Sequence, residues 1–281
     1  MNIKYVRKRK LPEWLQKPAF IIGLIIVIAF CLISFFPQLF ATHDPLEVNV
    51  IEALQKPSNV HFFGTDEYGR DIYSRIIYGA HIDIAMGVLG TIIPLIFGTL
   101  MGLLAGYYSG KFDYFVMRII DILMAFPFTI LVIVIMSILG SGIQNVFIAL
   151  WIVGWMSYAR LVRSEVLKLK NTEFIQAAEV AGFSNVRILL RHLLPNVISS
   201  SIVFAASDVV LCMLTGASMS FLGLGVQLPT PEWGAILNGG RSYISYAWWI
   251  TLFPGLFLAI TGIGFSLIGD SMTDLIRKKG K

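Results

Sequence analysis

Six apolar runs, separated by polar segments, set the pattern of this sequence. The runs are Ala19–Phe40, Ile84–Gly106, Ile119–Leu139, Asn145–Tyr158, Val197–Leu222 and Trp248–Ile268. Because the hydrocarbon core of a bilayer is about 30 Å thick, a helix needs roughly 20 apolar residues to cross it. The fourth run is the shortest and must borrow flanking residues to do so. The pattern predicts an all-α membrane protein with six transmembrane helices.

Basic residues divide the intervening segments into two groups. All 22 Lys and Arg lie outside the six runs, and alternate segments carry 18 of them on one side and 4 on the other. Positively charged loops stay in the cytoplasm. We therefore expect residues 1–18, the loop 159–195 and the tail 276–281 to be cytoplasmic. The loop 41–83 is then extracytoplasmic, and residues 84–275 form the main transmembrane core.

The composition agrees with a multi-pass membrane protein. Hydrophobic residues make up 56% of the chain and charged residues 14%, whereas globular proteins carry roughly 25% charged residues. A soluble domain of this size would have too few polar residues to cover its surface. The net charge of +5 is spread along the membrane edges, which indicates contact with lipid headgroups and no nucleic-acid partner.

Small residues and prolines within the runs predict how the helices pack. Gly98 and Gly102 have the small-xxx-small spacing that favours close approach of two membrane helices. Pro94, Pro127 and Pro254 each interrupt an apolar run. A proline removes one backbone hydrogen bond, so each of these helices is expected to be kinked.

Few ionisable residues lie within the runs. Asp208 is about midway along the fifth run, which contains no base, so its side chain must face the protein interior or a hydrated pathway. A hydrogen bond across helices and a role in the pathway are both compatible with that position. Asp121 follows Arg118 by three residues, a spacing that predicts a pair of oppositely charged neighbours on one helix.

No catalytic set is visible in the sequence. It contains neither the paired histidines of a zinc protease, nor a nucleophile elbow, nor a phosphate-binding loop. We therefore expect no enzyme activity, cofactor or metal on this chain; if ATP drives it, ATP and Mg²⁺ bind elsewhere. A secondary carrier normally places several carboxylates near the bilayer midplane, and one central aspartate gives that alternative little support.

The loop before the second run has helix-capping residues. Asp66 and Asp71 are natural caps, and Arg75 follows Asp71 by four residues. This spacing predicts an amphipathic helix lying on the membrane surface.

The loop 159–195 predicts two short helices. In the first, Thr172 is the expected N-cap, Glu173 favours the first turn, and Gly182 ends the helix. Its apolar face is made of positions spaced i, i+3, i+4 and i+7: Phe174, Ala177, Ala178 and Ala181.

The second predicted helix begins at Ser184, which caps it, and ends at Pro195. Its predicted apolar face is Val186, Leu189, Leu190 and Leu193. A small, smooth helix face suits the groove of a partner protein, although a loop packed only on its own chain would have the same spacing.

This stretch resembles the EAA loop of ABC-importer permeases. The family pattern is Glu-Ala-Ala, three residues, Gly, nine residues, Ile, one residue, Leu-Pro. The corresponding residues are Gln176, Ala177, Ala178, Gly182, His192, Leu194 and Pro195. Gln176 replaces the acid, which leaves a hydrogen-bonding group without charge, and His192 replaces the Ile.

Three further segments resemble the dipeptide, oligopeptide and nickel permease subfamily. They are Phe63–Arg75, the pair Phe221–Gln227 and Pro229–Gly234, and Asp121 with Ala125–Pro127. The first loop is similar to that of the C-type member of the two unlike permeases. The resemblance covers nearly the whole chain from about residue 15.

The resemblance implies a type I ABC importer permease with the MetI-like fold. Its implied partners are a second homologous permease, two ABC ATPase subunits that bind ATP and Mg²⁺, and an extracytoplasmic solute-binding protein. The implied solute is a di- or oligopeptide, with nickel or another metal chelate as the alternative. The implied ATPase-coupling residues are Glu173, Phe174, Gln176, Ala177, Ala178, Ala181, Gly182, Leu194 and Pro195.

Overall fold

A computed structural model describes the backbone of residues 17–279 and the side chains of residues 17–274. The predicted basic segment 1–18 lies almost entirely outside these residues, as does the end of the predicted tail. The α-helices are α1 Pro18–Phe35, α2 Pro37–Phe40, α3 Ile72–Tyr108, α4 Gly110–Leu123, α5 Phe128–Leu139, α6 Ile143–Lys170, α7 Glu173–Val180, α8 Asn185–Arg187, α9 Leu194–Phe221, α10 Trp233–Gly240 and α11 Trp249–Lys279.

Five of the helical stretches are long and apolar enough to cross a membrane. These are α1, α3, α6, the continuous stretch Asn185–Phe221 and the part of α11 up to Asp274. A sixth crossing exists if α4 and α5 together form one span. The all-helical fold agrees with the sequence prediction, and the described residues contain one isolated β-bridge, between Thr65 and Asp71.

The third apolar run is not the single helix Ile119–Leu139 that its hydropathy predicts. Helices α4 and α5 meet at an angle of 87°. Pro127 is the N-cap of α5, and the residue before a proline disfavours the α conformation, so α4 ends before it. The kink expected at Pro127 is therefore a complete break.

Helix α3 begins twelve residues before the second apolar run. The Asp71 carboxylate accepts a hydrogen bond from the Ser74 backbone N–H at 2.8 Å, so Asp71 is the N-cap, as predicted. The prediction of a separate surface helix here is wrong, because residues 72–83 form the first turns of α3. Arg75 lies 3.6 Å from the Asp66 carboxylate instead of pairing with Asp71.

Helices α3 and α6 pack closely through glycine. A Cβ atom at Gly98 would lie 2.3 Å from the Trp155 carbonyl oxygen, and one at Gly102 would lie 2.4 Å from the Ala159 carbonyl oxygen. These distances are far below van der Waals contact, so the two backbones touch where the glycines remove the side chain. The close packing predicted from the glycine spacing is confirmed.

A hydrophobic cluster joins the loop between α6 and α9 to the helices beside it. Its buried members come from α3, α6, α7, the turn after α8, and α9: Leu103, Tyr107, Val162, Val166, Ile175, Ala178, Ile188, Leu189, Leu193 and Val197. We call this set the loop cluster. Each fully buried aliphatic side chain contributes about 1.5–3 kcal/mol, so the loop is held to the ends of three long helices.

Candidate coupling loop and transmembrane helices

Helix α7 begins at the predicted residue but without the predicted cap. Thr172 occupies the N-cap position, yet its hydroxyl donates to the Leu169 carbonyl oxygen at the end of α6 instead of accepting from α7. Glu173 lies in the first turn, where the helix dipole favours a negative charge. The threonine thereby ties the start of α7 to the preceding helix.

Gly182 ends α7 as predicted, in a left-handed conformation with φ +75°. Its N–H donates to the Glu179 carbonyl oxygen, and the Phe183 N–H donates to the Ala178 carbonyl oxygen. This pair of bonds is the Schellman motif, which requires a left-handed residue after the helix. Glycine adopts that conformation without a steric penalty.

The predicted apolar face of α7 is divided between two sides. Ile175 and Ala178 are buried in the loop cluster. Phe174 is 46% exposed and Val180 is 89% exposed, and Ala177 and Ala181 are exposed as well. Of the four residues predicted to form one apolar face, only Ala178 is buried, because it lies beside Ile175 at the edge of the side that packs on this chain.

The outward side of α7 forms a small apolar surface. Four exposed residues lie on it, and we call them the coupling surface: Phe174, Ala177, Val180 and Ala181. Gln176 is also exposed. Exposed apolar groups on a cluster of neighbouring positions mark a surface suited to a partner.

The second loop helix differs from its prediction. Ser184 caps it, accepting from the Arg187 N–H at 3.4 Å. Residues Ile188–Leu193 then form a π turn, in which hydrogen bonds join residues five apart. Leu189 and Leu193 are buried as predicted, together with Ile188, whereas Val186 and Leu190, both predicted on that face, are exposed.

Pro195 does not end this helix. It lies in the first turn of α9, and the helical path runs without a break from Asn185 to Phe221. A proline in an α-helix loses the hydrogen bond to the carbonyl four residues earlier. Here the preceding residues are in the π turn, whose bonding pattern differs from that ladder, so the proline is accommodated.

Phe183 fastens the turn between the two loop helices. The Arg187 guanidinium lies 4.0 Å from its ring centroid, and the His192 ring stacks on it at 5.8 Å and 20°. His192 is therefore a packing residue at the position where the EAA pattern has Ile.

Polar contacts add to this attachment. The Tyr107 hydroxyl donates to the Asn185 side-chain oxygen at 3.0 Å, and Lys170 donates to the Tyr107 carbonyl oxygen at 2.6 Å. The Arg163 guanidinium contacts both oxygens of Asp113, with 2.6 Å between Nη2 and Oδ2. The loop, α3, α4 and α6 are consequently connected by side-chain bonds as well as by packing.

Asp121 has a different partner from the one predicted. The Arg160 guanidinium donates to its carboxylate at 2.6 Å, joining α6 to α4. The ion pair predicted between Asp121 and Arg118 on one helix is therefore wrong, and Asp121 forms an ion pair between two helices instead. Spacing along one helix predicts which residues of that helix are neighbours. It does not predict that α6 packs beside α4 and brings Arg160 to Asp121.

Asp208 is buried and hydrogen-bonded across helices. The Tyr158 hydroxyl of α6 donates to its carboxylate at 2.9 Å, and Asp208 is 7% exposed. This contact favours the structural role among the two that the sequence left open.

A separate cavity of about 240 Å³ lies at the break between α4 and α5. Its lining residues are Leu123, Met124, Phe126, Phe128, Leu131, Val153, Met156, Ser157 and Leu211.

The Tyr158→Phe variant is expected to be less stable than the wild type by about 1–3 kcal/mol, because it leaves a buried carboxylate oxygen without its donor. The measurement is the thermal unfolding midpoint of purified protein in detergent. Tyr114→Phe, at a position 70% exposed, is the control. Equal midpoints for Tyr158→Phe and the wild type would contradict the structural role.

Comparison with known protein families identifies the fold. Residues 98–280 match the family described as binding-protein-dependent transport system inner membrane component. Residues 13–57 match the N-terminal TM domain of oligopeptide transport permease C. The chain belongs to the binding-protein-dependent permease family. It is therefore a non-catalytic, multi-pass membrane subunit of an ABC importer, of the peptide permease subfamily.

Several relatives are similar along almost the whole chain. The dipeptide transport system permease protein DppC of Alkalihalophilus pseudofirmus is 44% identical over 93% of this chain and 86% of that protein. The oligopeptide transport system permease protein OppC of Bacillus subtilis is 38% identical over 92% and 85%. The glutathione transport system permease protein GsiD of Pectobacterium atrosepticum is 40% identical over 95% and 88%.

A solved structure supports the MetI-like fold. The inward-facing MetNI methionine ABC transporter contains a chain that matches this permease with a TM-score of 0.58 at 21% identity. The match covers 69% of this permease and 93% of that chain. The family membership excludes an ion-coupled secondary carrier, and it implies ATPase and solute-binding protein partners.

Proposed function

We propose that this permease forms half of the pathway for a peptide-like solute. The other half is a second, homologous permease; two ATPase subunits bind ATP and Mg²⁺, and an extracytoplasmic protein delivers the solute. The relatives described above are named for dipeptides, oligopeptides and glutathione. Those names favour a peptide over the alternative of nickel or another metal chelate.

The observation that carries the coupling proposal is the coupling surface on α7. Val180 and Phe174 are exposed there although both are apolar, and a helix with such a face fits a hydrophobic groove of a partner. We assign that partner as the ATPase subunit. Gln176 offers an uncharged hydrogen-bonding group beside this surface, and Leu194 and Pro195 lie in the first turn of α9.

The loop cluster gives the coupling surface a mechanical connection to the membrane. A displacement of α7 by the ATPase moves Ile175 and Ala178, which pack on α3, α6 and α9 through the loop cluster. Interiors packed this closely transmit displacement instead of absorbing it. Closure of the ATPase pair thus tilts the long helices, and ATP hydrolysis returns them.

The proposed orientation places both termini and the loop 159–195 in the cytoplasm. Its support is the distribution of Lys and Arg, of which 18 lie in this group of segments. The ATPases then contact α7, and the solute-binding protein contacts the loop 41–71 before α3. A role for Asp208 in the pathway stays a prediction. The hydrogen bond from Tyr158 explains the burial of Asp208 without such a role.

Substitutions at the adjacent residues Phe174 and Ile175 distinguish a loss of ATPase docking from a loss of stability. Phe174→Ala removes an exposed ring, so we expect ATP-dependent uptake in proteoliposomes of the whole importer to fall about tenfold with an unchanged thermal midpoint. Ile175→Ala removes a fully buried side chain and is expected to destabilise the permease by about 2–5 kcal/mol. Uptake and ATP hydrolysis are measured with a dipeptide as solute.

The control for Phe174→Ala is Phe115→Ala, which truncates another exposed ring, 64% exposed, on α4. Uptake by that variant should equal the wild-type rate. If Phe174→Ala also transports normally, the coupling surface is not where the ATPase binds. If coupling is intact but a dipeptide is not imported, the solute assignment alone is wrong.

A further inference from the structure

The loop between α2 and α3 is a compact polar structure. Asp66 is buried, and its carboxylate accepts hydrogen bonds from the Tyr68 and Arg70 backbone N–H groups and from the Arg70 side chain at 2.7 Å. The Leu54 N–H donates to the Asp66 carbonyl oxygen. Side chains attached to this loop are therefore held in fixed positions.

Two histidines and an aspartate converge inside this loop. His43, His61 and Asp71 each offer one ligand atom, and these atoms all lie within 4.8 Å of one another. The two imidazole rings are 4.7 Å apart between centroids. Imidazole nitrogen and carboxylate oxygen are the ligands that zinc and related divalent transition metals take from proteins.

Asp71 holds His61 in one orientation. Its Oδ1 atom lies 2.9 Å from His61 Nδ1, while its Oδ2 atom accepts the N-cap hydrogen bond from Ser74. With Nδ1–H donating to the carboxylate, the lone pair of His61 is on Nε2. Metal-binding histidines commonly donate their second ring N–H to a carboxylate in this way, which fixes the ring and raises its basicity.

The other nitrogen of His61 has no hydrogen-bond partner among the described residues. His61 Nε2 is buried, and the side chain is 6% exposed. The nearest charged group is the Glu52 carboxylate, 3.6 Å away, too far for a hydrogen bond. A buried, unsatisfied nitrogen that faces a carboxylate is an arrangement that a cation between them would satisfy.

A pocket of about 130 Å³ lies in front of these groups. Besides His43, His61 and Asp71, it is lined by Asp44, Glu47, Asn49, Glu52, Val60 and Gly69. The carboxylates give the pocket a negative potential that attracts a divalent cation. The volume exceeds what one ion with a bound water requires, since a water molecule occupies about 30 Å³.

We propose that this pocket binds one divalent transition-metal ion of the zinc class. The ligands are His61 Nε2, a ring nitrogen of His43 and the Glu52 carboxylate, with water completing the coordination and Asp71 orienting His61. A tetrahedral ion with bonds of about 2.0 Å holds its ligand atoms about 3.3 Å apart. The separation of 3.6 Å between His61 and Glu52 is close to that value. The ion joins the start of the loop to its middle.

Zinc binding to the full-length permease tests this site. The purified chain in detergent is treated with a chelator, dialysed, and titrated with Zn²⁺ by calorimetry. We expect one equivalent to bind to the wild type and to raise its thermal midpoint, because a ligand specific for the folded state stabilises it. His61→Ala and Glu52→Gln should each weaken Zn²⁺ affinity, about 100-fold or more for His61→Ala.

His81→Ala is the matched control. His81 is exposed on α3, and its ring contacts the Ser34 carbonyl oxygen instead of the cluster, so Zn²⁺ affinity should be unchanged. His61→Gln serves as a second variant if His61→Ala does not fold. Failure of the wild type to bind Zn²⁺, or wild-type affinity in a folded His61 variant, would overturn the proposal. Because the experiment measures Zn²⁺ binding to the isolated permease, its result does not depend on whether the importer transports a peptide.

Discussion

Gly182→Val is expected to reduce solute uptake by more than about tenfold while the permease still inserts into the membrane. Valine at φ +75° is strongly disfavoured, and a left-handed L-residue costs roughly 1–2 kcal/mol before β-branching is considered. No atom lies within 4 Å of a Cβ at this position. The effect is therefore conformational: the Schellman turn opens and α7 loses its fixed direction.

The measurement is ATP-dependent uptake in proteoliposomes, normalised to the amount of inserted permease. Gly140→Val is the matched control, since Gly140 has φ +88° and equally open surroundings but lies between α5 and α6. Gly182→Asn should retain most of the uptake, because asparagine tolerates the left-handed conformation. Full uptake by Gly182→Val would show that the end of α7 has no part in coupling.

Gly98→Leu is expected to lower the stability of the permease by forcing two packed helices apart. Its Cβ would lie 2.3 Å from the Trp155 carbonyl oxygen and 2.6 Å from Tyr158 Cβ, so α3 and α6 must separate. Overpacking of this kind costs about 1–3 kcal/mol or more. We expect the thermal midpoint in detergent to fall by roughly 5–10 °C and the amount of permease in the membrane to fall with it.

Gly255→Leu provides the comparison within the same protein. The atom nearest to a Cβ at Gly255 is a Leu237 methyl carbon at 4.0 Å, so a Cβ atom there makes no close contact. The midpoint of this variant should lie within about 2 °C of the wild type. A Gly98→Leu protein as stable as Gly255→Leu would mean that α3 and α6 do not pack as described.

The transmembrane character of the fold was predictable because bilayer thickness acts on each apolar run separately. A kink at Pro127 was predicted, but the complete break of 87° between α4 and α5 was not, since hydropathy contains no information about the direction of the helix on either side of the proline. The early start of α3 was missed for a related reason. Residues 72–83 are too polar to count as part of an apolar run, yet Asp71 caps one continuous helix.

The coupling loop shows the same division between local and tertiary information. The ends of α7 follow from local chemistry, and Gly182 was placed correctly as the residue after it. Which side of α7 faces the chain depends on Ile175 entering the loop cluster, a contact that helical spacing alone does not specify. The π turn at Ile188–Leu193 was likewise not predictable, because the same leucine spacing is compatible with an α-helix and with a π turn.

The partner of Asp208 could only come from the folded chain. A carboxylate in an apolar run needs either a polar neighbour or water. The sequence does not choose between them, whereas the structure shows the Tyr158 hydroxyl bonded to Asp208. The coupling assignments of all nine residues of the loop, including Gln176, Leu194 and Pro195, stay predictions, since they depend on a subunit that binds this loop.

The helical path from Asn185 to Phe221 has a geometric consequence. Its 37 residues, at about 1.5 Å per residue, form a rod about 56 Å long. Rotating such a rod by about 5° around one end shifts the other end by about 5 Å. A small angular movement at the cytoplasmic loop is thus amplified along the full length of this helix to a displacement of several ångströms at its far end.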